Sequence, residues 1–329
     1  MRKTELSPDV LEKVQLLAEK YEAMGQDLSS YLEGLLYSDY LKYWDYIRLD
    51  SLLDLQHPKT EFPDEVIFIM YHQITELYLK LALWELQQLS EREKPEVAEF
   101  TEKVQRVVRY LENLVRSFDV MVDGMQPQQF HKFRMALLPS SGFQSAQFRF
   151  LELHCTDMVN LVAPDIRDTI TGEENVDLLY DMLYWRRGAT ELATGNKTLT
   201  LKHFERKYSE RLLLLGERLK SRNLHQQYVK HFAGTEHEAT LKPLLRRLDM
   251  LANVDWCLAH YRSAVRYLQR DPEDIAATGG TNWQKYLPPR YQKISFFPTL
   301  WTDEEIAEWG KSWVMKEVFQ DKKQPGTAE

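Results

Sequence analysis

The chain has 329 residues, a formal net charge of −8, and 43% apolar and 12% aromatic residues, which bounds it to a globular protein with ample length for a core. Basic residues are scattered without a run of five, which argues against a nucleic-acid partner, and no unbroken stretch of eighteen apolar residues marks a membrane span. Two cysteines, Cys155 and Cys257, stand outside any CxxC pattern, so a disulfide framework, a zinc knuckle and covalent haem attachment are unsupported. With no apolar leader in MRKTELSPDVLEKVQ, the expected location is the cytoplasm.

Helical periodicity dominates, with no alternating strand pattern and no internal repeat. Helices are expected over residues 8–24, 28–47, 64–90, 94–121, 126–138, 142–158, 174–186, 199–222, 237–270 and 303–319, giving an all-α bundle of about ten to twelve helices. Pro63-Asp64 is a start signal for the third, and Thr302-Asp-Glu-Glu305 has the form of a capping box. Ser or Gly within Ser140-Ser141-Gly142 is expected to cap the helix from 142. Residues 1–329 are read as a single domain with an N-terminal segment over 1–60, a weakly periodic subregion over 160–200 and a frayed tail over 320–329. The stretch 271–301 is a long Gly-, Pro- and aromatic-rich connection of the kind that carries function.

Several chemistries are excluded by their missing motifs. GxxxxGK[ST], GxGxxG, GxSxG and HExxH do not occur, no two histidines lie three or four residues apart, and Glu-x-x-His is absent. Isolated histidines on helices remain compatible with haem, because the macrocycle supplies four nitrogens and the protein need give one. His260, in VDWCLAHYRSAVRYL, has Trp256 one turn before it and Ser263 and Ala264 one turn after, small enough for a flat ring to approach. His72, in FIMYHQITELYLKL, shares a face with Phe68 and Leu79. By spacing alone both histidines read more readily as ordinary core residues than as ligands. Arg134, one turn after Phe130 on an apolar face, needs a partner, either an acidic side chain or a ligand carboxylate held by its guanidinium fork.

The segments YWDYIRLDSLLDLQHP (43–58), DEVIFIMYHQITELYLKL (64–81), FRMALLPSSGFQSAQFRFLE (133–152), the Trp256…His260 pair, ATGGTNWQKYL (277–287) and SFFPTLW (295–301) together resemble the tryptophan 2,3-dioxygenase family. They keep the family's order and span most of the chain. The resemblance implies an all-α, haem b-binding, typically homotetrameric enzyme that inserts both atoms of O2 across the indole C2–C3 bond of L-tryptophan. The product, N-formylkynurenine, opens the kynurenine pathway of tryptophan catabolism. It further implies His260 as the proximal haem-iron ligand, His72 as the distal residue accepting the indole N–H, and Phe68 packing on the indole. Arg134 would pair with the substrate carboxylate, Thr278 and Gly279 would contact the amino-acid head group from a closing loop, and Ser141 would line the distal pocket. Tyr43 and Tyr46 would reach a neighbouring subunit's pocket. No nucleic-acid or membrane partner is implied.

Indole N–H is a very weak acid, so His72 is expected to orient it rather than deprotonate it, and His72→Ser should lower turnover without abolishing it. The chain departs from the family pattern at Phe130, where a tyrosine is usual. Losing that hydroxyl is expected to weaken carboxylate binding by about 1–2 kcal/mol or to signal another 3-substituted indole as substrate. A non-catalytic haem sensor on the same fold is the remaining alternative, disfavoured by the intact TGG stretch.

Overall fold

The computed structural model describes residues 6–38, 42–137, 142–171, 174–190, 196–268 and 289–309. Helices dominate these residues. Among them, β structure is limited to two isolated bridges, Val162 with Leu183 and Thr190 with Lys197. The chain divides into two compact units, residues 1–57 and 58–329.

The first unit holds α1 (Pro8–Ala23), α2 (Leu28–Leu36), α3 (Tyr43–Tyr46) and α4 (Leu49–Leu53). Asp27 caps α2, its carboxylate accepting from the Ser29 and Ser30 N–H groups. The single helix expected over 28–47 is interrupted. It ends at Leu36, before Ser38-Asp39, residue types that compete for backbone hydrogen bonds. Just past the expected end at residue 47, Arg48 takes a left-handed φ of 55° between α3 and α4. No side chain of α1–α4 is buried.

The second unit is built on α5 (Asp64–Glu91), which packs on α6 (Val97–Ser117) and α9 (Ala146–Cys155). On α6 the apolar residues recur at helical spacing, and Phe100, Val104, Val107, Val108, Leu111 and Leu114 are all buried. Each such burial stabilises by about 1.5–3 kcal/mol, and Leu111→Ala would cost about 2–5 kcal/mol. Glu85 ties α5 to α6 by accepting from Lys103 Nζ at 3.1 Å and Arg106 at 3.3 Å. The core continues through α13 (Leu199–Leu219), α14 (Leu224–His231) and α15 (Glu238–Met250). The periodicity missed α14, which starts at an Asn223 cap accepting from Gln226 N–H and anchors to α5 where Gln227 Nε2 donates to the Leu89 carbonyl at 2.7 Å.

Other expected helices are shortened or split. The 94–121 helix turns at Phe118 into α7 (Asp119–Asp123). The 126–138 helix is α8 (Pro127–Phe133), followed by a 3-10 turn over Arg134–Leu137. Helix α9 is capped by Ser145 rather than by residues 140–142, the Ser145 hydroxyl accepting from Phe148 N–H. The 160–200 stretch contains the short helices α10 (Pro164–Arg167), α11 (Val176–Asp181) and α12 (Tyr184–Gly188). The expected 237–270 helix is α15 and α16 (Trp256–Leu268), joined by a π-turn over Leu251–Asp255. The Thr302–Glu305 capping box forms as expected before a helix over Asp303–Ala307. The tail 320–329 lies outside the described residues.

Candidate active site

A second apolar cluster, separate from the main core, joins α5, α7, α8 and α16. Its buried members include Tyr71, Phe118, Phe130, Phe133 and Tyr267, with Phe68, Trp256 and Ala259 packed against them. It collects most of the described residues singled out in the sequence.

His72 and Phe68 are one turn apart on α5, and their rings lie 4.0 Å apart. His72 Nδ1 is 2.7 Å from the Phe68 carbonyl oxygen. A carbonyl can only accept, so Nδ1 must carry the hydrogen and Nε2 keeps its lone pair. Burial pushes the imidazole below its ordinary value, with the Phe68 carbonyl and Glu76 opposing, so the ring is neutral near pH 7. The side chain is exposed by surface area yet closely ringed by protein. Those two facts fit together for a residue at the rim of the cluster.

His260 repeats this arrangement on α16. Its Nδ1 lies 2.9 Å from the Trp256 carbonyl oxygen, leaving Nε2 as the unprotonated nitrogen. Its pKa is pushed down to about 4, by burial first and by the field of His72 as well. The two imidazoles are therefore electrostatic neighbours across the cluster, although they are 188 positions apart in sequence. Aromatic rings bridge them: Tyr71 stands 6.2 Å from His72 and 5.7 Å from Phe118, and Phe118 stands 4.5 Å from His260 and 5.2 Å from Trp256. Sequence reasoning missed Tyr71 and Phe118. Tyr71 directly precedes His72, which was an available signal, whereas Phe118 sits at the junction where α6 becomes α7, inside a stretch expected to be one helix.

Phe130 is buried against Tyr267 at 4.6 Å and Phe133 at 5.5 Å, with Phe68 at 6.4 Å. The Tyr267 hydroxyl donates to the Val122 and Met125 carbonyls, fixing α16 against the α7–α8 connection. Arg134 follows on the 3-10 turn and is buried. The N-terminus of α5 is locked to α8 by Asp64, which accepts from Gln126 N–H at 2.6 Å, while Gln129 Oε1 accepts from Asp64 N–H at 3.2 Å. Phe68, His72, Phe130 and His260 thus meet in one cluster, with Arg134 next to it in the chain. Ser141, Thr278 and Gly279 lie outside the described residues. Tyr43 and Tyr46 are on α3 in the first unit and are 71% and 76% exposed.

The donor set decides what group His260 could hold. Among the described residues no three His, Cys, Asp or Glu side chains gather into a metal site. From the described residues alone a bare ion would be short of ligands, whereas a macrocycle-bound iron needs only one neutral imidazole with an unprotonated Nε2. The chemistry of His260 fits the second case.

A family model described as tryptophan 2,3-dioxygenase matches residues 31–175. A tryptophan 2,3-dioxygenase of Ruegeria sp. (strain TM1040) is 31% identical over 275 residues, covering 81% of this chain and 92% of that protein. More local matches join it to proteins of the same name. One from Anaeromyxobacter sp. (strain K) is 43% identical over 113 residues, 34% of this chain and 42% of that protein. One from Burkholderia mallei (strain SAVP1) is 39% identical over 134 residues, 40% of this chain and 44% of that protein. With the Ruegeria relative matched over 92% of its length at 31% identity, the chain belongs to the tryptophan 2,3-dioxygenase family.

Proposed function

We propose that this protein is a haem-dependent oxidoreductase that inserts dioxygen across the indole C2–C3 bond of L-tryptophan, yielding N-formylkynurenine as the first step of tryptophan catabolism. The observation that carries the reading is the pair of neutral histidines on α5 and α16. Each is oriented by its own helix carbonyl, and each keeps an unprotonated Nε2 beside the same aromatic cluster.

His260 would hold haem b, which when bound would supply O2 activation. The chain's own residues do the rest by positioning and by excluding water. His72 Nε2 can only accept, which suits an indole N–H and holds the ring in one orientation. Phe68, tilted by 32° over His72, offers an apolar face for the indole. The Arg134 guanidinium is fitted by charge and geometry to the substrate carboxylate. Ser141, Thr278 and Gly279 are assigned to the distal pocket and head group on sequence position. Phe130 brings no hydroxyl, and its ring is packed among Tyr267, Phe133 and Phe68. The substrate carboxylate is therefore assigned to Arg134 without help from position 130.

Self-association belongs to the same reading. On α5, Met70, Ile74, Leu77, Leu81 and Trp84 form an exposed apolar stripe at helical spacing, and α1–α4 bury no side chain. Surfaces of this kind are covered by partners in soluble proteins. A homotetramer in which Tyr43 and Tyr46 complete a neighbour's pocket would cover them. The stripe also makes α5 apolar enough by length and composition to cross a membrane, yet its other face lies in the core with α6 and α9. The free cysteines Cys155 and Cys257 fit a reducing cytoplasm.

The reading is tested by reconstituting the protein with haem, reducing it, and adding L-tryptophan in air. A product heavier than tryptophan by two oxygen atoms, absent in His260→Ala, supports it. A ferrous haem complex that leaves L-tryptophan unchanged refutes it.

A further inference from the structure

Asp249 is fully buried near the C-terminal end of α15, and its recorded partners among the described residues are all neutral donors. Oδ1 accepts from Asn253 Nδ2 at 2.7 Å and Phe296 N–H at 2.9 Å. Oδ2 accepts from Ser295 Oγ at 2.7 Å, Trp301 Nε1 at 2.9 Å and Phe297 N–H at 3.3 Å. The carboxylate is therefore a hub between the 295–301 segment and the helix that leads to His260.

The connection between Asp249 and His260 is not plain α-helix. Leu251–Asp255 forms a π-turn, closed where Trp256 N–H donates to the Leu251 carbonyl five residues back. A π-turn inserts one residue, which turns everything after it by about 100° relative to an uninterrupted α-helix. The face that α16 shows to the cluster, including His260 and the Trp256 carbonyl that orients it, depends on that insertion. Asn253 sits inside the turn, is buried, and spends its amide on Asp249. Asp249 in turn is held from outside the helix by the four donors of the 295–301 segment.

We infer that Asn253 and Asp249 are positioning residues for the proximal ligand: the Asn253–Asp249 bond holds the π-turn that sets the rotational phase of His260, and the 295–301 segment braces that bond. The inference rests on the haem reading above. It goes beyond that reading by assigning a role to residues outside the cluster.

The separating experiment compares Asn253→Ala with Ser295→Ala in the full-length, haem-loaded protein. The first variant breaks the bond between the π-turn and the end of α15 and leaves the brace. The second removes one brace donor and leaves the bond. The readouts are the rate of haem loss to excess apomyoglobin and the iron–histidine stretching band of the ferrous protein, beside helicity and Tm. Asn253→Ala is expected to lose haem roughly tenfold faster, the effect of one buried hydrogen bond, and to shift or broaden the iron–histidine band. Ser295→Ala is expected to lower Tm with a wild-type band. If Asn253→Ala does not fold, Asn253→Ser, a smaller change, is judged by the same two readouts. Wild-type haem loss and an unchanged band in the folded Asn253 variant overturn the inference while leaving the function reading intact. Failure of the wild-type protein to take up haem overturns both.

Discussion

Replacing His72 with Phe separates an orienting residue from a catalytic base. Phenylalanine keeps an aromatic ring beside Phe68, now 4.0 Å away, and removes both ring nitrogens. What is lost toward substrate is one neutral acceptor, because Nδ1 is already committed to the Phe68 carbonyl. One neutral hydrogen bond is worth about 1 kcal/mol net, so kcat/KM for L-tryptophan should fall roughly fivefold. General base catalysis would instead be worth about a hundredfold to ten-thousandfold. Steady-state kinetics on L-tryptophan and on its indole-N-methyl derivative distinguish the two. The methylated substrate has no N–H to donate, so on it the variant and the wild type should be nearly equal. A loss of about a thousandfold on L-tryptophan would refute the orienting role and require His72 to move a proton.

Arg134→Leu should raise KM for L-tryptophan by about ten- to a hundredfold, the range for one charge-assisted contact, and leave turnover of tryptamine, which lacks the carboxylate, little changed. Leu77→Glu together with Leu81→Glu places charge on the exposed α5 stripe and should shift the assembly to smaller species by light scattering without lowering helicity. His154 is 2% exposed with its Nδ1 unpartnered, and burial with Arg218 nearby holds its pKa at about 4 against an ordinary 6.5. The folded form binds that proton less readily than the unfolded chain, so the stability tied to His154 is complete above pH 6.5 and is lost as pH falls toward 4. About 2 kcal/mol should be gone by pH 5 in urea titrations, and His154→Gln should flatten that part of the profile.

The helices were legible in the sequence because their apolar residues keep a steady period, and the Phe68–His72 pair was legible because a spacing of four puts both on one face. The approach of His72 to His260 was not, since it depends on how α5 and α16 pack. No local pattern encodes a pairing across so much chain. Phe118 was hidden for a related reason: it belongs to a helix junction and becomes part of the cluster only through contact with His260 and Trp256. A period of 3.6 cannot reveal the π-turn at Leu251–Asp255, which changes phase by one residue inside a continuous helical pattern. Asp249 read as an ordinary helix acid, and its five donors come mostly from a segment some fifty residues later.

The central claim is that one molecule of dioxygen is delivered whole to the indole. It is tested most directly by a single turnover of the ferrous, haem-loaded protein with L-tryptophan under a mixture of light and heavy dioxygen, with the product quenched at once and weighed by mass spectrometry. The product should carry either no heavy atoms or two, and His260→Ala should form none. Product carrying a single heavy atom as the main species, or formed equally well without His260, would contradict it.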